Sequence, residues 1–228
     1  GYGLTETSPV LTAERPWAVS PGSVGTPMNS VKIRIEEKDE NGIGEIVAKG
    51  PNVMQGYYNQ PEETAKAIVD GWFYTGDLGR IDSKGNLIIT GRKKNVIVLK
   101  NGKNVFPEEI EEMIMKLPYV SECMMFTREK HNELVLWCEI VYEPALLEDE
   151  SITREQLAAR FAKDLADIND ILPKYKHINH FIMSEEPMIK TTTQKVKRRA
   201  EVDKIYKQWD DEKCYNTCLL YTSPSPRD

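Results

Sequence analysis

The run Gly91-Arg92-Lys93-Lys94-Asn95, continued by Lys100-Asn101-Gly102-Lys103-Asn104-Val105-Phe106-Pro107-Glu108-Glu109-Ile110-Glu111, decides how this chain is organised. Asn101-Gly102 is a turn signal between apolar residues 96–99 and 104–106, so these runs read as a hairpin. Pro107 then opens a helix over 107–117. Its missing N–H and fixed φ suit a first turn, and Glu108, Glu109, Glu111 and Glu112 lie near the positive end of the helix dipole. The basic residues ahead of the hairpin can meet a polyphosphate, with Arg92 presenting a fixed guanidinium fork. Taken alone, the cluster is equally a solvated charged hairpin.

The sequence changes character on either side of this run. Upstream, residues 1–30 are rich in Gly, Pro, Ser and Thr and read as loops. Residues 31–36 and 44–49 read as strands paired about Asn41-Gly42, and 61–69 as a short helix opened by Pro61. Residues 78–82 and 86–90 read as a second hairpin around Ser83-Lys84-Gly85. Downstream, 120–126, 134–141 and 178–183 are apolar strands. Leu157, Phe161, Leu165 and Ile168 recur at helical spacing within 152–168, behind Thr153 as a cap. Residues 196–209 read as a basic amphipathic helix. A mostly β and loop part, 1–91, is thus followed by an α+β domain, 92–213, with the boundary near Arg92–Lys94.

Lysine and arginine number 30 against 36 acids, and the net charge of -6 argues against a general nucleic-acid role. No apolar run approaches the length that spans a bilayer. Cys123, Cys138, Cys214 and Cys218 show no CxxC spacing, and His131, His177 and His180 are scattered. That argues against zinc and suits a reducing cytoplasm.

Three further constellations carry chemistry. In Tyr2-Gly3-Leu4-Thr5-Glu6-Thr7, glycine and threonines can surround a phosphate with N–H and O–H groups. Glu6 can hold Mg²⁺, a hard cation that takes oxygen ligands, and Tyr2 can stack on a base. In Trp72-Phe73-Tyr74-Thr75-Gly76-Asp77, an aspartate at the end of a tight glycine turn can accept both hydroxyls of a ribose, or merely cap the turn. In Lys190-Thr191-Thr192-Thr193-Gln194-Lys195-Val196-Lys197-Arg198, three threonines make a flexible loop with one cation near its end, or a capped basic helix.

Together and in this order, the four resemble the adenylate-forming family of acyl-CoA synthetases, luciferases and non-ribosomal adenylation domains. Tyr2–Glu6 looks like that family's YGxTE motif, Thr75-Gly76-Asp77 like its TGD motif, and 91–111 like its GRxK…GxNxxPxEIE motif. Lys195 sits where the family keeps the lysine of PxTxxGK, although Ile189 and Gln194 stand where proline and glycine are usual. The resemblance covers residues 1 to about 210.

It implies a fold class of α/β and α+β: the C-terminal β-rich part of the large adenylate-forming domain over 1–91, then a small mobile α+β domain over 92–213. It further implies Lys195, Thr5 and Glu6 as catalytic residues. Tyr2, Gly3, Thr5, Asp77, Arg92 and Lys195 would bind nucleotide, Glu6 would bind Mg²⁺, Lys94 would be the hinge, and Gly102, Lys103 and Asn104 would line a coenzyme A tunnel. ATP, a carboxylic acid of the long-chain fatty type and coenzyme A would be the partners, with membrane contact peripheral and through the acyl substrate. A carrier-protein phosphopantetheine acceptor and a non-catalytic docking module are the alternatives.

The family's Ser/Thr/Gly-rich phosphate loop is absent, so the chain is expected to be a C-terminal fragment, inactive when isolated. One codon choice for 218–228, CLLYTSPSPRD, reproduces a transposase adapter used in sequencing libraries; that tail is expected to be read-through, disordered and without function.

Overall fold

The computed structural model describes residues 1–130, 133–143, 145, 152–210 and 220–222. His131, Cys214 and Cys218 lie outside the described residues. The chain divides into two compact units, Gly1–Val96 and Ile97–Asp228. The division falls just past the basic run because Lys93 pairs with Glu45 at 2.7 Å and with Glu37 at 3.3 Å, which keeps the short 3₁₀ turn Lys93–Asn95 in the first unit.

The first unit opens with a three-stranded antiparallel sheet, β1 (Tyr2–Gly3), β2 (Val10–Ala13) and β3 (Thr26–Pro27). Residues 1–30 are therefore not all loop. Strands of two to four residues are too short to show a period of their own and exist through their pairing. A five-stranded antiparallel sheet follows, from β4 (Lys32–Glu36), β5 (Gly44–Lys49), β6 (Ile68–Val69), β7 (Trp72–Ile81) and β8 (Leu87–Arg92). Its order is β4-β5-β7-β6, with β8 also on β7. The helix α1 (Pro61–Ala67) precedes β6. β5 is buried from Gly44 to Ala48. β7 runs through the Thr-Gly-Asp motif, which reads locally as a turn but is a strand with Gly76 at φ 70 and a register shift at Leu78/Gly79.

The second unit begins with the expected hairpin, β9 (Ile97–Val98) and β10 (Asn104–Val105), and the helix α2 (Pro107–Ile114). Strands β11 (Val120–Lys130), β12 (Glu133–Tyr142), β13 (His180–Ser184) and β14 (Leu220–Thr222) form one sheet in that order. β12 and β13 are parallel, so a crossover is required, and α3 (Arg154–Ile171) supplies it. Thr153 caps α3, with Gln156 closing the capping box. β12 alternates faces. Leu136, Cys138 and Ile140 pack with Ile110, Phe161 and Leu165. Trp137 and Val141 pack with Met124, Ile182 and Ile205, the last on α4 (Arg198–Asp210).

Cys123 and Cys138 are free thiols in strands, as expected. The expectation of a structureless tail does not hold for Leu220–Thr222, which pair antiparallel with β13. Their apolar and β-branched sequence suits an edge strand, and β13 offers an edge. Residues 218, 219 and 223–228 lie outside the described residues.

Candidate active site

In the first unit, three motif residues far apart in sequence meet through their side chains. The Tyr2 hydroxyl donates to Asp77 Oδ2 at 2.6 Å, and Arg92 Nε lies 2.7 Å from Asp77 Oδ1. Asp77 is 5% exposed. β7 and β8 put Asp77 directly opposite Arg92, so the ion pair follows from strand register. Burial, and then the Asp77 carboxylate that accepts its proton, hold the Tyr2 hydroxyl far above the ordinary tyrosine range. Both aspartate oxygens are thus engaged, each with lone-pair capacity left for a ribose hydroxyl. Thr75 Oγ1 donates to Ile46 O and accepts from Asp77 N–H, which fixes the carboxylate's approach.

The loop after Tyr2 is built by close approach. A Cβ on Gly3 would stand 1.8 Å from Pro9 O, so only glycine fits there. Thr7 is fully buried and braces the turn, accepting from Leu4 N–H and donating to Pro9 O. Thr5 is exposed and Glu6 half-buried. Glu6 Oε1 accepts from the Tyr57 hydroxyl at 3.1 Å, and burial with this bond raises the Tyr57 pKa. Asn52 Nδ2 bonds Thr7 O and Val10 O, and Met54 N–H bonds Glu6 O, so residues 50–57 clasp the loop. Magnesium held chiefly by nucleotide phosphates and water needs one or two carboxylates, and Glu6 with its second oxygen fits that need. Among the described residues no cluster of three or more His, Cys, Asp or Glu offers an all-protein cage.

Lys94, the expected hinge, is exposed in the 3₁₀ turn. In the second unit, Gly102, Lys103 and Asn104 are exposed at the tip of the β9–β10 hairpin, with Lys103 Nζ 4.5 Å over the Tyr175 ring. Lys195 is exposed too, but its surroundings are tight. Lys190 and Val196 form an antiparallel bridge, Thr191 N–H donates to Lys195 O at 2.8 Å, and Gln194 N–H to Thr191 O at 3.0 Å. Gln194 has φ 61, the left-handed position of a three-residue hairpin loop that glycine usually fills. The threonine loop is therefore closed as a hairpin, and α4 starts three residues beyond Lys195.

Several partners were not singled out by sequence. Glu45 is buried on β5, accepts from Gly76 N–H at 3.1 Å and pairs with Lys93, so it braces the Thr-Gly-Asp strand. Glu111, the last residue of the 91–111 run, takes both terminal nitrogens of Arg198 and also accepts from Met125 N–H. Those bonds raise the Arg198 pKa against the opposing effect of burial, the largest influence on it. For Glu45 the available signal was a lone glutamate among apolar residues in Gly44–Lys49, whereas Glu111 stands among Glu108, Glu109 and Glu112 and carried none.

Residues 1–58 match the AMP-binding enzyme family, and 94–216, more than half of the chain, match the AMP-binding enzyme C-terminal domain. The chain belongs to the AMP-binding enzyme family. It is 41% identical over 132 residues to a long-chain-fatty-acid–CoA ligase of Bacillus subtilis (strain 168), covering 55% of this chain and 23% of that protein. It is 35% identical over 185 residues to one of Escherichia coli O6:H1, covering 76% and 33%. It is also 40% identical over 127 residues to a 2-succinylbenzoate–CoA ligase of Bacillus cytotoxicus, covering 53% and 26%. Among solved structures it resembles the O-succinylbenzoate coenzyme A synthetase MenE from Bacillus subtilis in complex with ATP and magnesium ion, with TM-score 0.74 and 28% identity over 89% of this chain and 40% of that one. The chain spans well under half the length of these proteins.

Proposed function

We propose that the protein activates a carboxylic acid with ATP and passes the acyl group to coenzyme A. A carboxylate oxygen attacks the α-phosphorus, the bond to pyrophosphate breaks, and acyl-adenylate forms. The thiol sulfur then attacks the acyl carbon, AMP leaves, and the thiol proton is released. The observation that carries this reading is the Asp77 carboxylate held between Tyr2 and Arg92, beside the loop that bears Thr5 and Glu6. Asp77 and Arg92 take the ribose, Tyr2 and Gly3 border the base and phosphates, Thr5 bonds a phosphate oxygen, and Glu6 holds magnesium. Lys195 is the cation that offsets the charge gathered when carboxylate meets triphosphate. Lys94 is the hinge, and Gly102, Lys103 and Asn104 guide the thiol arm.

The acid is a long-chain fatty acid, supported by relatives of that name at 35–41% identity. The 2-succinylbenzoate–CoA ligase at 40% identity supports an aromatic acid as the second reading. The protein encoded by the complete gene would be given ATP and coenzyme A with palmitate, short acids and 2-succinylbenzoate. Palmitate-dependent release of pyrophosphate with palmitoyl-CoA formation is the expected result. Turnover confined to 2-succinylbenzoate would reassign the acid. Thioester formed solely on a phosphopantetheinylated carrier would reassign the acceptor, and no acid-dependent pyrophosphate release would refute the reading.

A further inference from the structure

Lys195 stands near the tip of a hairpin whose first leg is held by two carboxylates. Met188 N–H donates to Glu122 Oε2 at 3.1 Å, and Ile189 N–H to Glu201 Oε2 at 2.6 Å. Lys190 Nζ donates to Glu122 Oε1 at 2.6 Å. Two consecutive backbone donors are therefore taken by side chains from β11 and α4 where a strand neighbour would ordinarily take them. Glu201 is fully enclosed and the Glu122 side chain is 16% exposed, so these charge-assisted bonds lie largely out of water. Lys204 Nζ, 2.6 Å from Glu201 Oε1, balances the enclosed charge. The second leg closes on the tethered one through Lys197 N–H to Ile189 O at 2.7 Å.

We propose that Glu122 and Glu201 are positioning residues for the adenylation step, fixing through the backbone of 188–190 where the Lys195 ammonium can reach. The proposal rests on the role assigned to Lys195 above. A lysine side chain is long and rotamer-rich, so preorganisation has to come from the backbone that carries it. Displacing a catalytic group by about 1 Å costs as much as ~10²-fold in rate. The tether also belongs to this sequence in particular. Ile189 has an N–H to give, and a proline there would not.

Both half-reactions would be measured in the protein encoded by the complete gene, with Lys195→Ala as the reference. Glu201→Ala removes an acceptor, Glu201→Gln restores one without charge, and Glu122→Ala alters the partly exposed tether should the Glu201 site resist truncation. In Glu201→Ala and Glu122→Ala, acid- and ATP-dependent pyrophosphate release should fall about tenfold or more, while the KM for ATP and thioester formation from synthetic acyl-adenylate stay within about twofold. Glu201→Gln should recover most of the loss. Amide hydrogen exchange over 188–197 should quicken about tenfold in both alanine variants, with β11–β12 protection unchanged. Unchanged exchange, or an equal fall in both half-reactions where Lys195→Ala is selective, overturns the proposal alone. A Lys195→Ala variant that loses both half-reactions equally removes the reading of Lys195, and the proposal with it.

Discussion

Replacing Glu139 by glutamine should make the protein more stable, and increasingly so as pH rises. Glu139 sits in the middle of β12, 2% exposed, with Oε2 enclosed and without a hydrogen-bond partner. Burial first, then the charge of Glu201, push its carboxyl from 4.5 up to about 8; Lys204 opposes the shift, and Glu122 and Glu186 add to it. The folded value lies above the unfolded one. Between these values the folded chain holds a proton that the unfolded chain has released, so stability falls as pH rises through the window. At about 1.36 kcal/mol per pH unit the loss would approach ~5 kcal/mol by pH 8, and relaxation or water entry brings it to roughly 2–5 kcal/mol. Glutamine keeps the shape and cannot ionise. Urea unfolding of parent and Glu139→Gln at pH 5, 6, 7 and 8 reads the difference, because titrating groups remote from Glu139 cancel. The curves should nearly coincide at pH 5 and separate steadily above it. A difference that does not vary with pH, or a variant less stable at pH 8, would refute the reasoning.

Asp77→Ala should weaken nucleotide binding by about 1.5–3 kcal/mol, the worth of charge-assisted bonds, as read by calorimetry on the protein from the complete gene. Unchanged affinity would mean that Asp77 serves Tyr2 and Arg92 alone. Lys195→Ala should slow adenylation by about 10²–10³ and largely spare thioester formation from acyl-adenylate, since the cation matters where carboxylate and triphosphate meet. Gln194→Gly should raise stability by roughly 0.5–1 kcal/mol in thermal melts, the relief of a left-handed residue less the extra entropy of unfolded glycine. A drop in melting temperature would show that the Gln194 side chain contributes something the turn needs.

The hairpins and helices of the second unit were legible because each carries its own signal: Asn101-Gly102, Pro107 with its glutamates, and Thr153 ahead of the spaced Leu157, Phe161 and Leu165. The first thirty residues were not, because Tyr2–Gly3 and Thr26–Pro27 are strands only through their partners. Of the candidate site, the residue types were readable and the contacts were not. Nothing local says that Tyr2 bonds Asp77 across 75 positions, or that Glu201 takes the Ile189 N–H. Gln194 was silent in the same way. Its side chain says nothing of the left-handed backbone that the turn demands there.

The pairing of β14 with β13 bears on how the chain behaves in solution. His180, Phe181 and Ile182 face Thr222, Tyr221 and Leu220 across that edge. A version ending before Leu220 would expose a row of unsatisfied amides and carbonyls on an apolar strand, a template for a second molecule. Trimming the tail should therefore make the protein self-associate more readily as concentration rises. The remedy would be a charged residue or a proline placed along β13, the device by which natural edges discourage neighbours.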